Sequence, residues 1–407
     1  MQKFIINCII LIFCSIYGTS AYAQNTKTIK LAAINVLSGK FSEWGNRYQQ
    51  GIKYAVEQIN LQQGLAGCKI ELITVDNELN PEIAVQKTKE LIENGVKHFI
   101  IGAGSHIGMA LLPLAQEHKV LIFSYSIEAD SLTGEKCSRY FFRTTANTTM
   151  HSNALAFWIV MNGYKNIFAV AQDYAFGRDA VSAFKKKIQE LSPAVQVKGE
   201  IYHPIGQEDF TDTVKTIAES GAEIIFTSDY GQDIVMLIKE ADLQGLKIPF
   251  AGYYLNDDLV IKETADNSVI IGSVGCENYT LAVPGEKNKE FIEKFYKEKG
   301  YYPTWQRSKA YMSVMFWAEA VKKAGTADVE AVIDAWEGLI YDGPAGKWYM
   351  RPCDHQMQMP MWVGKIEKNN PFFSHAFIKQ ASSIAERFIT VPCEETGCPG
   401  LSKSLIK

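Results

Sequence analysis

Ser105 and His106 stand at the end of a glycine-rich corner, Gly102-Ala103-Gly104. The apolar run Phe99–Ile101 stops there and a helix-like run to Ala115 begins. A strand that passes through glycine and serine into a helix offers backbone N–H groups and the positive end of the helix dipole. The chemistry this suits is holding a small anion, a carboxylate or a phosphate. The same residues also fit an ordinary strand-to-helix turn with a capping serine, and His106 fits either a ligand donor or a turn-facing polar group. Aromatic and acidic residues recur at comparable corners. Trp44 follows Ser38-Gly39, and Tyr125 and Glu128 follow Val120–Ser124. Tyr174 and Phe176 follow Ile167–Gln172, Asp229 and Tyr230 follow Ile224–Ser228, and Tyr253 and Tyr254 follow Ile248–Ala251. Rings at such positions either line a cleft with flat apolar walls or pack against neighbouring loops.

Covalent and metal chemistry have little support. The chain has no GxSxG elbow, no Walker loop, no HExxH and no GxGxxG after its first strand. Its seven histidines are scattered. The adjacent pair Asp354-His355 lies late in the chain, where a structural or solvated role is the first reading. Net charge is −4 with no basic patch, which argues against nucleic acid or an anionic membrane as partner. No cofactor is implied.

The elements that must position these corners alternate in type. Strands are expected at Ile29–Val36, Ile70–Val75, Phe99–Ile101 and Val120–Ser124. A helix covers Arg47–Asn60, with Tyr48, Ile52, Ala55, Val56 and Ile59 on one face, and a second begins at Asn80-Pro81. The count restarts near Tyr140–Thr145. Strands follow at Ile167–Gln172, Val197–Tyr202, Ile224–Ser228, Ile248–Ala251 and Val269–Val274, with helices at Arg178–Leu191, Asp209–Ser220 and Ile234–Leu243. Helices are then expected at Lys287–Lys299, Lys309–Lys323 and Val329–Leu339, and a hairpin from Lys347–Met350 and Met361–Ile366. The fold class is therefore α/β, with two doubly wound units. Ligands of such sheets bind at the carboxyl ends of the strands, so two facing units make a cleft.

The first residues read as an export leader. Lys3 precedes the apolar run Phe4–Tyr17, and Ala21-Tyr22-Ala23 is a cleavage site, so residues 1–23 are expected to be removed. Phe13 before Cys14 does not suit lipoprotein processing. Cys8 and Cys14 lie in the leader. The other cysteines, Cys68, Cys137, Cys276, Cys353, Cys393 and Cys398, are even in number, which suits disulfides in an oxidising compartment. Cys393 and Cys398 are close enough to bridge and staple the tail at residues 392–407. The remaining four have several possible pairings, and no CxxC or His–Cys spacing supports zinc.

Taken together, the chain resembles the periplasmic substrate-binding proteins of ABC importers, in the branched-chain amino-acid (leucine/isoleucine/valine) class with the type I fold. The resemblance spans nearly all of the chain after the leader. It is carried by LSGKFSEWGNRYQQGIKYAVEQIN at Leu37–Asn60 with GLAG at Gly64–Gly67, and by NPEIAVQKTKELIENGVKHFIIG at Asn80–Gly102. LIFSYSIEADSLTG at Leu121–Gly134, DYAFGRD at Asp173–Asp179 and IIFTSDYGQD at Ile224–Asp233 add to it.

The resemblance implies two α/β lobes joined by three crossover strands, with a ligand cleft between them that closes by a hinge. Lobe one would be Thr28–Thr144 plus Gly275–Ile340, and lobe two Thr145–Val274 plus Tyr341 to residue 391. Ligand contacts would fall on Trp44, on Gly104, Ser105 and His106, and on Tyr125, Ser126, Ile127 and Glu128. Lobe two would add Tyr174, Phe176, Asp229, Tyr230 and Tyr254. Two departures are visible. Amino-acid binders carry a Glu for the ligand ammonium where this chain has Gly252-Tyr253-Tyr254; Asp229, Glu128, Asp257 and Asp258 are the available substitutes. The family's usual Cys pair also has no match, since Gly104-Ser105 stands after Phe99–Ile101. Relatives that take aromatic carboxylates share features of the late segment. The expected function is an exported, non-enzymatic, monomeric receptor in the periplasm. It hands a small carboxylate (a branched-chain or related amino acid, or an aromatic acid) to an inner-membrane permease. The alternatives are a sensory protein of the same fold and an exported two-domain hydrolase.

Overall fold

The computed structural model describes residues 28–102, 104–265 and 267–401. The leader at 1–23 and the end of the tail lie outside these residues, so they enter no structural statement.

The amino-terminal strands form one parallel sheet. They are β1 (Thr28–Asn35), β2 (Lys69–Asp76), β3 (His98–Ile101), β4 (Leu121–Ser124) and β5 (Phe141–Arg143), in the order β2-β1-β3-β4-β5. The central strands β3 and β4 are buried along their whole length, as a sheet covered on both faces requires. Helices α1 (Ser42–Leu61), α2 (Pro81–Glu93) and α3 (Ser105–His118) connect them. The start of α2 follows from sequence: Pro81 takes the first helical position, and Asn80 Oδ1 accepts from the N–H groups of Glu82 at 2.8 Å and Ile83 at 3.2 Å.

The second sheet repeats the plan. Its parallel strands are β6 (Asn166–Gln172), β7 (Gln196–His203), β8 (Ile224–Thr227), β9 (Phe250–Gly252) and β10 (Val274–Glu277). Their order, β7-β6-β8-β9-β10, is the order of the first sheet, second strand outermost and first strand next. Helices α4 (Thr148–Met161), α5 (Ala175–Leu191), α6 (Thr211–Glu219), α7 (Gln232–Leu243) and α8 (Asp258–Thr264) accompany it. The chain then returns to the first lobe as α9 (Glu286–Lys299), α10 (Trp305–Ala324) and α11 (Val329–Trp336). Trp317 of α10 stacks on Phe123 and Trp336 of α11 on Phe142, which ties these helices to β4 and β5. Helix α10 also lies tight on α1, where a Cβ at Gly51 would sit 2.0 Å from the Arg307 carbonyl oxygen.

The last strands are β11 (Ile340–Gly343), β12 (Gly346–Met350), β13 (Met357–Gln358), β14 (Met361–Glu367) and β15 (Phe377–Ile384). Here the hairpin expectation fails. Strand β12 pairs with β11 and β13 in a small sheet, whereas β14 pairs antiparallel with β10 and β15 and extends the second sheet. The reason is burial: Met361–Gly364 is buried throughout, and the open edge of β10 offers that cover. The strand expected at Val269–Val274 is also displaced. Ser268–Ile270 forms a 3-10 turn, and β10 starts at Val274 and pairs within the second sheet to Glu277, past the lobe boundary drawn at residue 274. Helices α4 and α8 and strands β5, β11, β13 and β15 are elements the sequence pattern did not single out. Among the described residues the chain passes between the two lobes at 144–147, 278–285 and 359–360, and the tail after β15 returns once more to reach Cys353 and Cys137.

The disulfides are Cys137–Cys398 and Cys353–Cys393, so the bridge expected between Cys393 and Cys398 is not formed. Residues 393–395 make a 3-10 turn, and the tail beyond lies against residues 134–135, which carries Cys398 to Cys137. Cys68 and Cys276 are free thiols.

Candidate functional site

In each sheet the chain reverses its winding between the first and third strands, and a crevice opens at their carboxyl ends. In lobe one these ends are Asn35 and Gly102; in lobe two they are Gln172 and Ser228. The residues after these ends face one another across the lobes.

Lobe one contributes the corner before α3. Gly104 takes φ +95°, and α3 starts at Ser105. Ser105 is half-buried, and its Oγ accepts from the Ala129 N–H at 3.1 Å. Accepting leaves the hydroxyl proton free to donate. His106 is exposed, with Nε2 3.2 Å from the Leu79 carbonyl. Tyr125 is fully buried. Its hydroxyl donates to the Asn35 carboxamide, its ring lies 4.5 Å from that of Tyr48, and burial holds its pKa well above the ordinary phenol value. It makes the floor of the crevice. Ser124 Oγ accepts from the N–H groups of Ser126 at 3.3 Å and Ile127 at 2.9 Å, so these donors are turned onto their own strand end. Ile127 is buried against Gly108 of α3.

Glu128 completes that turn. Its carbonyl accepts from Thr148 and Arg143, which locks the turn to the first crossover. Its carboxylate is buried and reaches the other lobe: Tyr254 Oη donates to Oε2 at 3.2 Å. Burial raises the Glu128 pKa, opposed by Lys309 and by the Tyr254 hydroxyl.

Lobe two supplies rings. Tyr174 Oη donates to Tyr230 Oη at 3.1 Å, and Phe176 meets Tyr230 edge-on at 6.2 Å between centroids. Trp44 of lobe one lies 6.1 Å from Tyr230 and 5.7 Å from Tyr254. The structure thus brings Trp44, Phe176, Tyr230 and Tyr254 into one cluster with Tyr174 beside it. Asp229 points elsewhere: its Oδ2 lies 2.9 Å from His203 Nε2, both side chains buried. Burial alone would lower the His203 pKa, but the Asp229 carboxylate outweighs it and raises the value. Tyr253 is also buried, its hydroxyl 2.5 Å from Ser152 Oγ.

Several groups escaped the sequence reading. Trp305 packs against Trp44 at 5.8 Å and Tyr254 at 5.9 Å. Lys309 is fully buried; its Nζ donates to Glu277 Oε1 at 2.9 Å, stands 3.6 Å from Glu128 Oε1, and lies 5.0 Å from the Trp305 ring centroid. His151 Nε2 lies 3.6 Å from Glu277 Oε1, and burial lowers its pKa to about 4, so it is neutral near pH 7. Glu128, His151 and Glu277 thus converge as a donor set, with ligand atoms within 4.8 Å of one another. Lys309 already sits there as the cluster's own cation. At the cleft rim Arg47 of lobe one donates to Asp258 of lobe two at 2.5 Å. Glu277 ends β10; with the strand expected at Val269–Val274, no sequence signal marked it.

Asp354-His355 is structural. Arg351 holds Asp354, while His355 lies 3.0 Å from Glu337 and stacks on Phe142 at 3.8 Å.

Comparison with known proteins agrees with this architecture. A family model described as periplasmic binding protein matches residues 28–371. The Leu/Ile/Val-binding protein homolog 4 of Brucella melitensis is 26% identical over 373 residues, covering 86% of each chain. The closed form of a leucine-, isoleucine-, valine-, threonine- and alanine-binding protein from Brucella ovis superposes with a TM-score of 0.85. It is 24% identical and covers 91% of this chain and 98% of its own. A solute-binding protein of an ABC transporter from Rhodopseudomonas palustris BisB5, solved with 3,4-dihydroxybenzoic acid, has a TM-score of 0.78. It is 23% identical and covers 90% of this chain and 99% of its own.

Proposed function

This chain belongs to the periplasmic binding protein family, and we propose that it is an exported receptor that closes on a small carboxylate-bearing solute and delivers it to an ABC permease. The single observation that carries this reading is the meeting of Trp44, Tyr230 and Tyr254 across the lobes. The carboxylate sits at the corner before α3, on the Ser105 hydroxyl and the start of the helix, where the helix dipole favours negative charge. The rings cover the body of the solute. Closure removes water, which strengthens the polar contacts inside, and a solute that binds both lobes shifts the population toward the closed form. The permease then reads that form. The chain works as a monomer and catalyses no reaction; hydrolysis would need a nucleophile beside a base in the cleft.

The ring cluster also favours a second solute class, aromatic acids, whose flat bodies fit between such walls. A melt of the mature protein against a panel of amino acids, amides and aromatic acids tests the proposal. A bound carboxylate at about a hundred times its Kd stabilises by about 2.7 kcal/mol, a rise of a few degrees. A panel in which carboxylates leave the melt unmoved, or in which a carboxylate derivative is turned over, contradicts it.

A further inference from the structure

The tail joins the two lobes in a way the crossovers at 144–147, 278–285 and 359–360 do not, because it is fastened to each lobe by side chains. On the lobe-two side it leaves β15, which pairs with β14 in the second sheet. Phe388 then stacks on Phe157 of α4 at 4.6 Å between centroids. The buried Ile389 offers its carbonyl to Asn153 Nδ2 of the same helix at 2.9 Å. On the lobe-one side Arg351 Nη1 donates to the Val391 carbonyl at 2.6 Å, and Cys393 is bonded to Cys353. Cys398 is bonded to Cys137, and a Cβ on Gly134 would lie 2.7 Å from the Thr396 carbonyl oxygen, so the tail past the first bridge is packed on lobe one.

Two features make this more than a stapled chain end. The first is length. Thr390 alone stands between the carbonyl held by α4 and the carbonyl held by Arg351. Even fully extended, the chain from Ile389 to Cys393 reaches at most about 14 Å, and Pro392 locks one of its backbone angles. The second is place. Cys353 lies in the turn between β12 and β13, and that turn rests on the first crossover. The Arg143 N–H donates to the His355 carbonyl at 2.9 Å, and Gln356 Nε2 donates to the Thr145 carbonyl at 2.8 Å. From the same turn the chain runs through β13 into the third crossover. The tail therefore crosses beside two of the links about which the lobes must turn.

We propose that the tail is a fourth crossover, a short covalent strap that limits how far, and about which axis, the lobes open. A flexible link lets one lobe tilt and twist on the other. A link this short, with a body fixed at each end, permits rotation only about a line close to itself, and wide opening or twisting would stretch it. The strap removes the widest open arrangements and leaves the closed one untouched. Fewer open arrangements mean less conformational entropy lost on closing, which favours closure. This rests on the hinge closure of the reading above and on no choice of solute.

Small-angle X-ray scattering of the solute-free mature protein tests the strap with two variants, with amide hydrogen exchange as the check on folding. One carries a six-residue Gly/Ser insertion between Thr390 and Val391 and keeps both bridges; the insertion adds up to about 20 Å of reach. The other combines Cys137→Ser, Cys353→Ser, Cys393→Ser and Cys398→Ser. The expected result is a larger radius of gyration than wild type in both, with exchange in β3, β4 and β8 within about threefold of the wild-type rates. A folded variant of either kind that keeps the wild-type radius overturns the strap. Exchange accelerated in those strands of the insertion variant also overturns it, since the tail would then support the fold of the lobes and not their angle. The insertion variant retains both disulfides, so it decides the matter even where the four-serine variant does not fold. The receptor reading stands or falls separately, on the solute melts of the wild-type protein.

Discussion

Gly102 and Tyr125 show how single residues shape the cleft. A Cβ on Gly102 would lie 2.1 Å from Tyr125 Cζ, so the ring can fill the crevice between β1 and β3 only because position 102 has no side chain. Gly102→Ala is expected to cost about 3 kcal/mol, at the upper end of overpacking, measured by denaturant unfolding. Ser105→Ala keeps the corner but removes the donor offered to the carboxylate; affinity for the stabilising solute should fall about tenfold. Unchanged affinity would remove Ser105 from the site. His98 and His151 carry a pH dependence. Burial lowers each to about 4, against an unfolded value near 6.5. Both bind protons more weakly in the folded state, so stability is full above about pH 6.5 and falls as pH drops toward 4, by up to about 3 kcal/mol per residue. Urea midpoints measured across that range should decline, and more shallowly in His98→Gln if the wild-type slope comes from there. The ring positions were legible in the sequence because each follows a strand end. Lys309, Glu277 and Trp305 were not. They come from segments far along the chain that reach the cleft only through the second crossover and α10.

At the scale of elements, periodicity found the long helices that keep a polar face and missed α4, which does not, and α8, which is too short to show a repeat. Helix α4 buries His151, Ser152 and Asn153 along with Leu155 and Ile159, so its sequence shows no stripe of one kind. Strand β14 was legible as a strand, but its partners were not. Proximity suggested β12, and the open edge of β10 won because it buries the segment. The cysteines give the same lesson. Cys393 and Cys398 are neighbours in sequence, yet the tail uses them at different places. Cys393 bridges to Cys353 beside the small sheet, and Cys398 bridges to Cys137 in the loop before β5. Strand β15 belongs to the second sheet and Cys137 to the first lobe, so the tail is a further covalent link between the lobes. Removing either bridge with a Cys→Ser pair should lower stability by about 2–4 kcal/mol, seen as a fall in the urea midpoint. A midpoint that does not move would mean that the tail adds nothing to the folded state.

For the molecule as a whole, the alternation of strand and helix revealed two α/β units and the family resemblance supplied their linkage. The shared strand order of the two sheets explains why both crevices present loops to one cleft. What the chain pattern could not show is the closed state and the contacts that define it. These are Arg47 to Asp258, Tyr254 to Glu128, and Lys309 to Glu277. The first lies at the rim, where the two side chains keep 10% and 16% exposure, and it is made only when the lobes meet. Arg47→Ala should therefore leave the fold intact and favour the open form, weakening solute affinity several-fold through the closing step. The most direct measurement is small-angle X-ray scattering of the mature protein, with and without the carboxylate that most raises its melting temperature. The expected result is a wider particle alone and a narrower one on addition of one equivalent, matching the arrangement in which Arg47 meets Asp258 and Tyr254 meets Glu128. A bound carboxylate that leaves the scattering curve unchanged would contradict closure on a solute as this protein's work.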